Sequence, residues 1–112
     1  MKDEKSKMLK IMNELVRFYL KSGNHSVRIA LDLTDHEGIV SLEGCCTKID
    51  EKKLEDLNDI LNSPRKDEAE EYYWNLVGSN DFSEIHLLGS LVNEGEVKYD
   101  GNVLKMRVKR YF

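Results

Sequence analysis

The chain has 112 residues, 40% of them hydrophobic and 34% charged, and a formal net charge of −4 at pH 7. That balance describes one domain able to bury a core of its own and excludes a disordered chain. The negative charge argues against a general grip on nucleic acid, which needs a clustered basic surface, and no apolar run nears the roughly 18 residues that span a bilayer.

The opening MKDEKSKMLKIM mixes acids with bases and does not read as a secretory signal. Two cysteines make no disulfide framework, so the expectation is a cytoplasmic protein with reduced thiols. A single proline and the lack of a Gly/Ser tract leave no linker, and residues 1–112 read as one domain.

From about Ser6 to Leu20, Met8, Leu9, Ile11, Met12, Leu15, Val16, Tyr19 and Leu20 recur at helical spacing, and Gly23 offers a stop. Strict alternation follows, with Val27, Ile29, Leu31 and Leu33 on one side of a strand and Arg28, Ala30 and Asp32 on the other. TDHEG turns the chain into a second strand, Ile39 to Glu43, with Val40 and Leu42 inward. Asp50 is a good N-cap for a helix through about Leu61, buried along Leu54, Leu57, Ile60 and Leu61.

Ser63-Pro64 starts a third helix, to about Val77, with Asp67, Glu68, Glu70 and Glu71 near its positive end. A fourth begins at Asp81 or Ser83, buries Ile85, Leu88, Leu91 and Val92, and closes at Gly95. Gly89 in its middle is unfavourable by about 1 kcal/mol relative to alanine, which predicts a close-packing reason. A last hairpin turns at Asp100-Gly101, and Leu104, Met106 and Val108 alternate with Lys105, Arg107 and Lys109. The order αββαααββ predicts an α+β, two-layer sandwich with helices on one face of a mainly antiparallel or mixed sheet.

The helix KMLKIMNELVRFYLKSG, the hairpin VRIALDLTDHEGIVSLEG, and the closing IHLLGSLVNEGEVKYDGNVLKMRVKRYF resemble the ATP-binding domain of the gyrase, Hsp90, histidine-kinase and MutL (GHKL) group. The resemblance lies in the order of elements and implies a histidine-kinase-ATPase-like fold. It places Glu14 where that group has a catalytic glutamate, and Phe18 where it has the asparagine that holds magnesium. The Asp-x-Gly-x-Gly loop reads Glu43-Gly44-Cys45-Cys46-Thr47, with its second glycine gone. A triphosphate needs glycine-rich backbone and a metal ligand, and neither is present, so the resemblance implies a member without cofactor that has lost ATP.

Cys45 and Cys46 are adjacent rather than spaced as Cys-x-x-Cys, and His25, His36 and His86 are scattered, so no metal set stands out. Two small packed thiols are the plain reading; a cysteine nucleophile is the chemical one. Tyr72, Tyr73 and Trp74 point around about 200° of a helix, so one or two should reach the surface as a contact site. The basic KxRxKR side of the final strand reads as an edge protected by charge, or as a surface for an anionic partner. These readings favour a non-catalytic domain that binds a protein partner or itself, with no nucleic acid and no membrane. The alternatives are an ATP-binding protein using Glu14 and the segment Glu43, Gly44 and Thr47, and a small enzyme using Cys45 or Cys46.

Overall fold

The computed structural model describes residues 4–21, 26–46, 49–63 and 88–112. The elements among them are α1 (Glu4–Lys21), β1 (Val27–Leu33), β2 (Glu37–Cys45), α2 (Glu51–Leu61), β3 (Glu94–Tyr99) and β4 (Val103–Tyr111). The helix expected over 64–77 lies outside the described residues, as does most of the fourth. Leu88, Leu91 and Val92, expected on the buried face of the fourth, are in the core.

The sheet is antiparallel throughout, in the order β1-β2-β4-β3. Each hairpin expected from the sequence forms, and the two join through β2 and β4. Alternation puts the even-numbered residues of both central strands on one face. There Val40, Leu42, Leu104, Met106 and Val108 are buried against Met8, Ile11, Leu15 and Tyr19 of α1 and Leu61 of α2. The result is a small α+β fold with both described helices on one face of the sheet. Truncating a side chain such as Leu104 to alanine in this layer costs about 2–5 kcal/mol.

Local chemistry fixes the boundaries. The Asp50 carboxylate accepts the Lys53 backbone N–H at 2.8 Å, capping α2 at the expected residue. At the β3–β4 turn the Asp100 carboxylate accepts the N–H groups of Asn102 and Val103, which hold it below its ordinary pKa. Gly101 adopts φ +93° there, and the two turn residues are Gly101-Asn102, one step later than the sequence suggested. Gly89, expected in mid-helix, lies in a turn just after Leu88, the last helical residue there, and a close-packing reason is present: a Cβ there would run into the Ile60 carbonyl.

Several expectations change. Gly95 belongs to β3, which starts at Glu94 because Glu94 finds Lys109 across the ladder. β2 continues through Gly44 and Cys45, held by β4 on its far side. Most consequentially, β4 is a central strand, so its basic side protects no edge. Arg110 does not face solvent with Lys105, Arg107 and Lys109, because its even position turns it to the helix face, where it is 1% exposed. Its guanidinium donates to the Glu4 carboxylate at 2.9 Å and to the Leu91 carbonyl at 2.8 Å. Burial tends to raise the Glu4 carboxyl, but the Arg110 hydrogen bond and charge, with Lys7, hold it below its ordinary value.

Candidate functional site: the open face of the sheet

With both described helices on one side, the odd-numbered side chains of β2 and β4 stand on the other. Pairing sets them in transverse rows with residues of the outer strands. One row runs Arg28, Glu43, Lys105, Lys98; the next runs Ala30, Ser41, Arg107, Glu96; a third runs Asp32, Ile39, Lys109, Glu94. Ala30 and Ser41 are short, and the longer side chains around them enclose an open groove of about 350 Å³.

Four cations line this groove, Arg28, Lys98, Lys105 and Arg107, against the two carboxylates Glu43 and Glu96. The local excess is positive in a chain whose net charge is −4. Lys98 lies 3.6 Å from Glu96. Arg28, Lys105 and Arg107 make no salt bridge among the described residues. Lys98 and Lys105 stand directly opposite each other, an arrangement that destabilises a sheet unless something negative lies between them. Chemically the groove offers charge-assisted hydrogen bonds to carboxylate or phosphate. No group of three or more His, Cys, Asp or Glu among the described residues is placed to hold a metal ion.

The residues singled out in the sequence are dispersed. Glu14 is 1% exposed on α1, and its Oε2 has no hydrogen-bond partner among the described residues. Glu43 points to the open face, so the sheet stands between it and α1. Gly44 is buried in regular strand. Cys45 is exposed while Cys46 is buried in the core, because adjacent residues of extended chain face opposite ways. Phe18 packs on Tyr19 edge-to-face, with the Lys53 ammonium 5.5 Å from its ring centre. Thr47, Tyr72, Tyr73 and Trp74 lie outside the described residues.

Sequence reasoning named Lys105 and Arg107 as a candidate patch but missed Arg28, Lys98, Ala30 and Ser41. Each was visible as the polar or small member of an alternating strand. Their convergence depends on the strand order, which no local signal encodes. Beneath the groove, the buried Tyr19 hydroxyl donates to the Leu104 carbonyl at 2.8 Å, and burial, with the Cys46 and Glu43 charges, pushes it well above its ordinary value. Comparison of the chain with protein-family models, curated proteins and solved structures gives no match.

Proposed function

We propose that the chain is a non-catalytic binding module that holds an acidic segment of a partner protein on the open sheet face. The observation that carries this reading is the trio Arg28, Lys105 and Arg107, without salt bridges among the described residues, around a floor of short side chains. The central position of β4 removes the edge-protection reading of its basic side and supports the anionic-partner one. Binding should be salt-sensitive, since the contacts are exposed charges. The test is anisotropy with a labelled glutamate-rich peptide. Lys105→Glu with Arg107→Glu should weaken binding by at least about tenfold, as expected for charge reversal at an interface. Equal binding by that variant would sink the proposal.

In this reading the fold is histidine-kinase-ATPase-like, with two layers and the order αββαααββ, and its nucleotide site has lapsed. Support comes from the run α1, hairpin, α2, from Phe18 at the magnesium-ligand position, and from Gly44 and Cys45 lying in strand rather than in a glycine loop. A second reading, a working ATP-binding protein, draws on the partnerless Oε2 of Glu14. A clear rise in melting temperature with ATP and magnesium would favour it over ours. The cysteine-enzyme reading draws least support, because Cys46 is buried in the core and the Cys45 thiol has no hydrogen-bond partner among the described residues. Tyr72, Tyr73 and Trp74 stay proposed as a further contact, to be tested by partner capture with Tyr73→Ala or Trp74→Ala.

A further inference from the structure

β1 is an outer strand, and nothing in its own sequence or pairing closes its free edge. It carries no proline, and its register with β2 is unbroken from Val27↔Gly44 to Leu33↔Gly38. The direction of its free backbone groups follows from the hairpin. The Thr34 N–H donates to the Glu37 carbonyl at 2.9 Å, so Thr34 faces β2. Alternation then turns Asp32, Ala30 and Arg28 toward β2, and Leu33, Leu31, Ile29 and Val27 outward. Among the described residues, none makes a hydrogen bond to the outward backbone groups of these four.

The inner side of the same strand is apolar and incompletely covered. Ile29 is 43% exposed and Leu33 37%. Phe18 marks the flank of α1 toward α2, where Lys53 sits over its ring. The opposite flank carries Leu9 and Leu20, 51% and 53% exposed, and so looks toward the β1 side. An uncovered apolar edge strand is a template for another strand.

The order of residues along β1 says which strand. VRIALDL is chemically palindromic about Ala30. We propose that two copies of the chain pair through β1, antiparallel and centred on Ala30, joining their four-stranded sheets into one around a two-fold axis. In that register Arg28 of each copy lies opposite Asp32 of the other, on the open face, at both ends of the contact. On the helix face Val27 meets Leu33 and Ile29 meets Leu31, and the smallest side chain falls on the axis. The pairs 27/33 and 29/31 join outward-facing residues, as an antiparallel ladder requires, so all four free backbone positions find partners. Shifting the register by two residues keeps the ladder but breaks both charge pairs. Self-complementarity of this kind is what an isologous interface needs, and the exposed leucines of α1 extend it toward the area of a stable contact. The proposal does not rest on the groove's ligand, although Arg28 lines the groove and also takes part in the pairing.

Sedimentation of the full chain across the micromolar range should show a species of twice 13.0 kDa. Arg28→Asp sets like charges opposite each other twice and should weaken association at least about tenfold. Arg28→Asp with Asp32→Arg restores opposite charges and should restore the dimer. Ile29→Pro removes an outward N–H without breaking the β1–β2 ladder and should give a monomer with unchanged far-ultraviolet circular dichroism. In the unaltered chain, amide exchange at Ile29 and Leu31 should slow as concentration rises, while exchange at Ala30 stays constant. That last measurement decides the matter should the variants fail to fold. A chain that stays monomeric, a double swap that fails to rescue, or exchange at Ile29 and Leu31 that ignores concentration would each overturn the proposal.

Discussion

β3 and β1 are both outer strands of one sheet, and the chain treats them differently. At β3 the Asn62 side chain takes the place of a neighbouring strand. Its Nδ2 donates to the Gly95 carbonyl at 2.8 Å, and its Oδ1 accepts the Gly95 N–H at 3.1 Å. The same Nδ2 donates to the Asn58 carbonyl at the end of α2, so one amide finishes a helix and shields a sheet edge. Open-face side chains of β3 are charged: Glu94, Glu96 and Lys98. Among the described residues no such amide meets β1, and its apolar side chains lie on a side only partly covered by α1. An edge closed by the chain's own helix belongs to the folding unit, whereas an edge left open is available to another molecule. Substitutions at β3 should therefore register as stability, and substitutions at β1 as association.

The largest effect should come from Gly95→Ala, because a Cβ there would run into the Leu61 side chain. Urea unfolding should show a loss of about 2–3 kcal/mol. A loss below about 0.5 kcal/mol, the scale of a neutral surface change, would mean that α2 does not close this edge tightly. Tyr19→Phe probes the two central strands between the edges and should cost about 1 kcal/mol, the net worth of one buried hydrogen bond. Its alkaline behaviour has a definite sign. The hydroxyl's folded pKa is raised, so its contribution is whole below the ordinary value of 10.0 and is lost as pH rises beyond it. The phenylalanine variant should lack that part of the alkaline loss.

Asn62→Ala should cost about 1 kcal/mol by the same measure, since Gly95 is partly hydrated. It should also make β3 resemble β1, with amide exchange at Gly95 accelerating. Glu4→Gln tests the Arg110 pair in an acid titration. The Glu4 carboxyl is depressed in the fold, so its contribution is present above the ordinary value of 4.5 and disappears as pH falls below it. The glutamine variant should flatten that limb. The smallest effect on unfolding belongs to Ile29→Thr, within about 0.5 kcal/mol for an exposed position. A large loss of monomer stability there would erase the contrast between the edges.

Much of the local structure was legible in the residues. α1 was expected from Ser6 to Leu20 and runs Glu4–Lys21, because a broad apolar stripe is self-reporting. β1 was read at its observed bounds from strict alternation, and Asp50 was read as a cap from its chemistry alone. The groove was half legible. Lys105 and Arg107 stood out as the polar phase of β4, but their neighbours Arg28 and Ala30 come from a strand more than 70 residues earlier.

What the sequence determined by itself was therefore what acts over a turn of helix or a few residues of strand: element type, caps, and which residues share a face. Only the tertiary structure decided that β4 lies between β2 and β3. That placement converted a supposed edge into the middle of an open face and left β1 and β3 as the two edges, while the packing of α1 brought Glu4 to the inward-turned Arg110. Strand order depends on long-range pairing, whose cost in chain entropy is met only when the whole sheet and its helices assemble. No short stretch of sequence carries that information, although the palindrome in VRIALDL shows that an edge, once known, can be read again for what it fits.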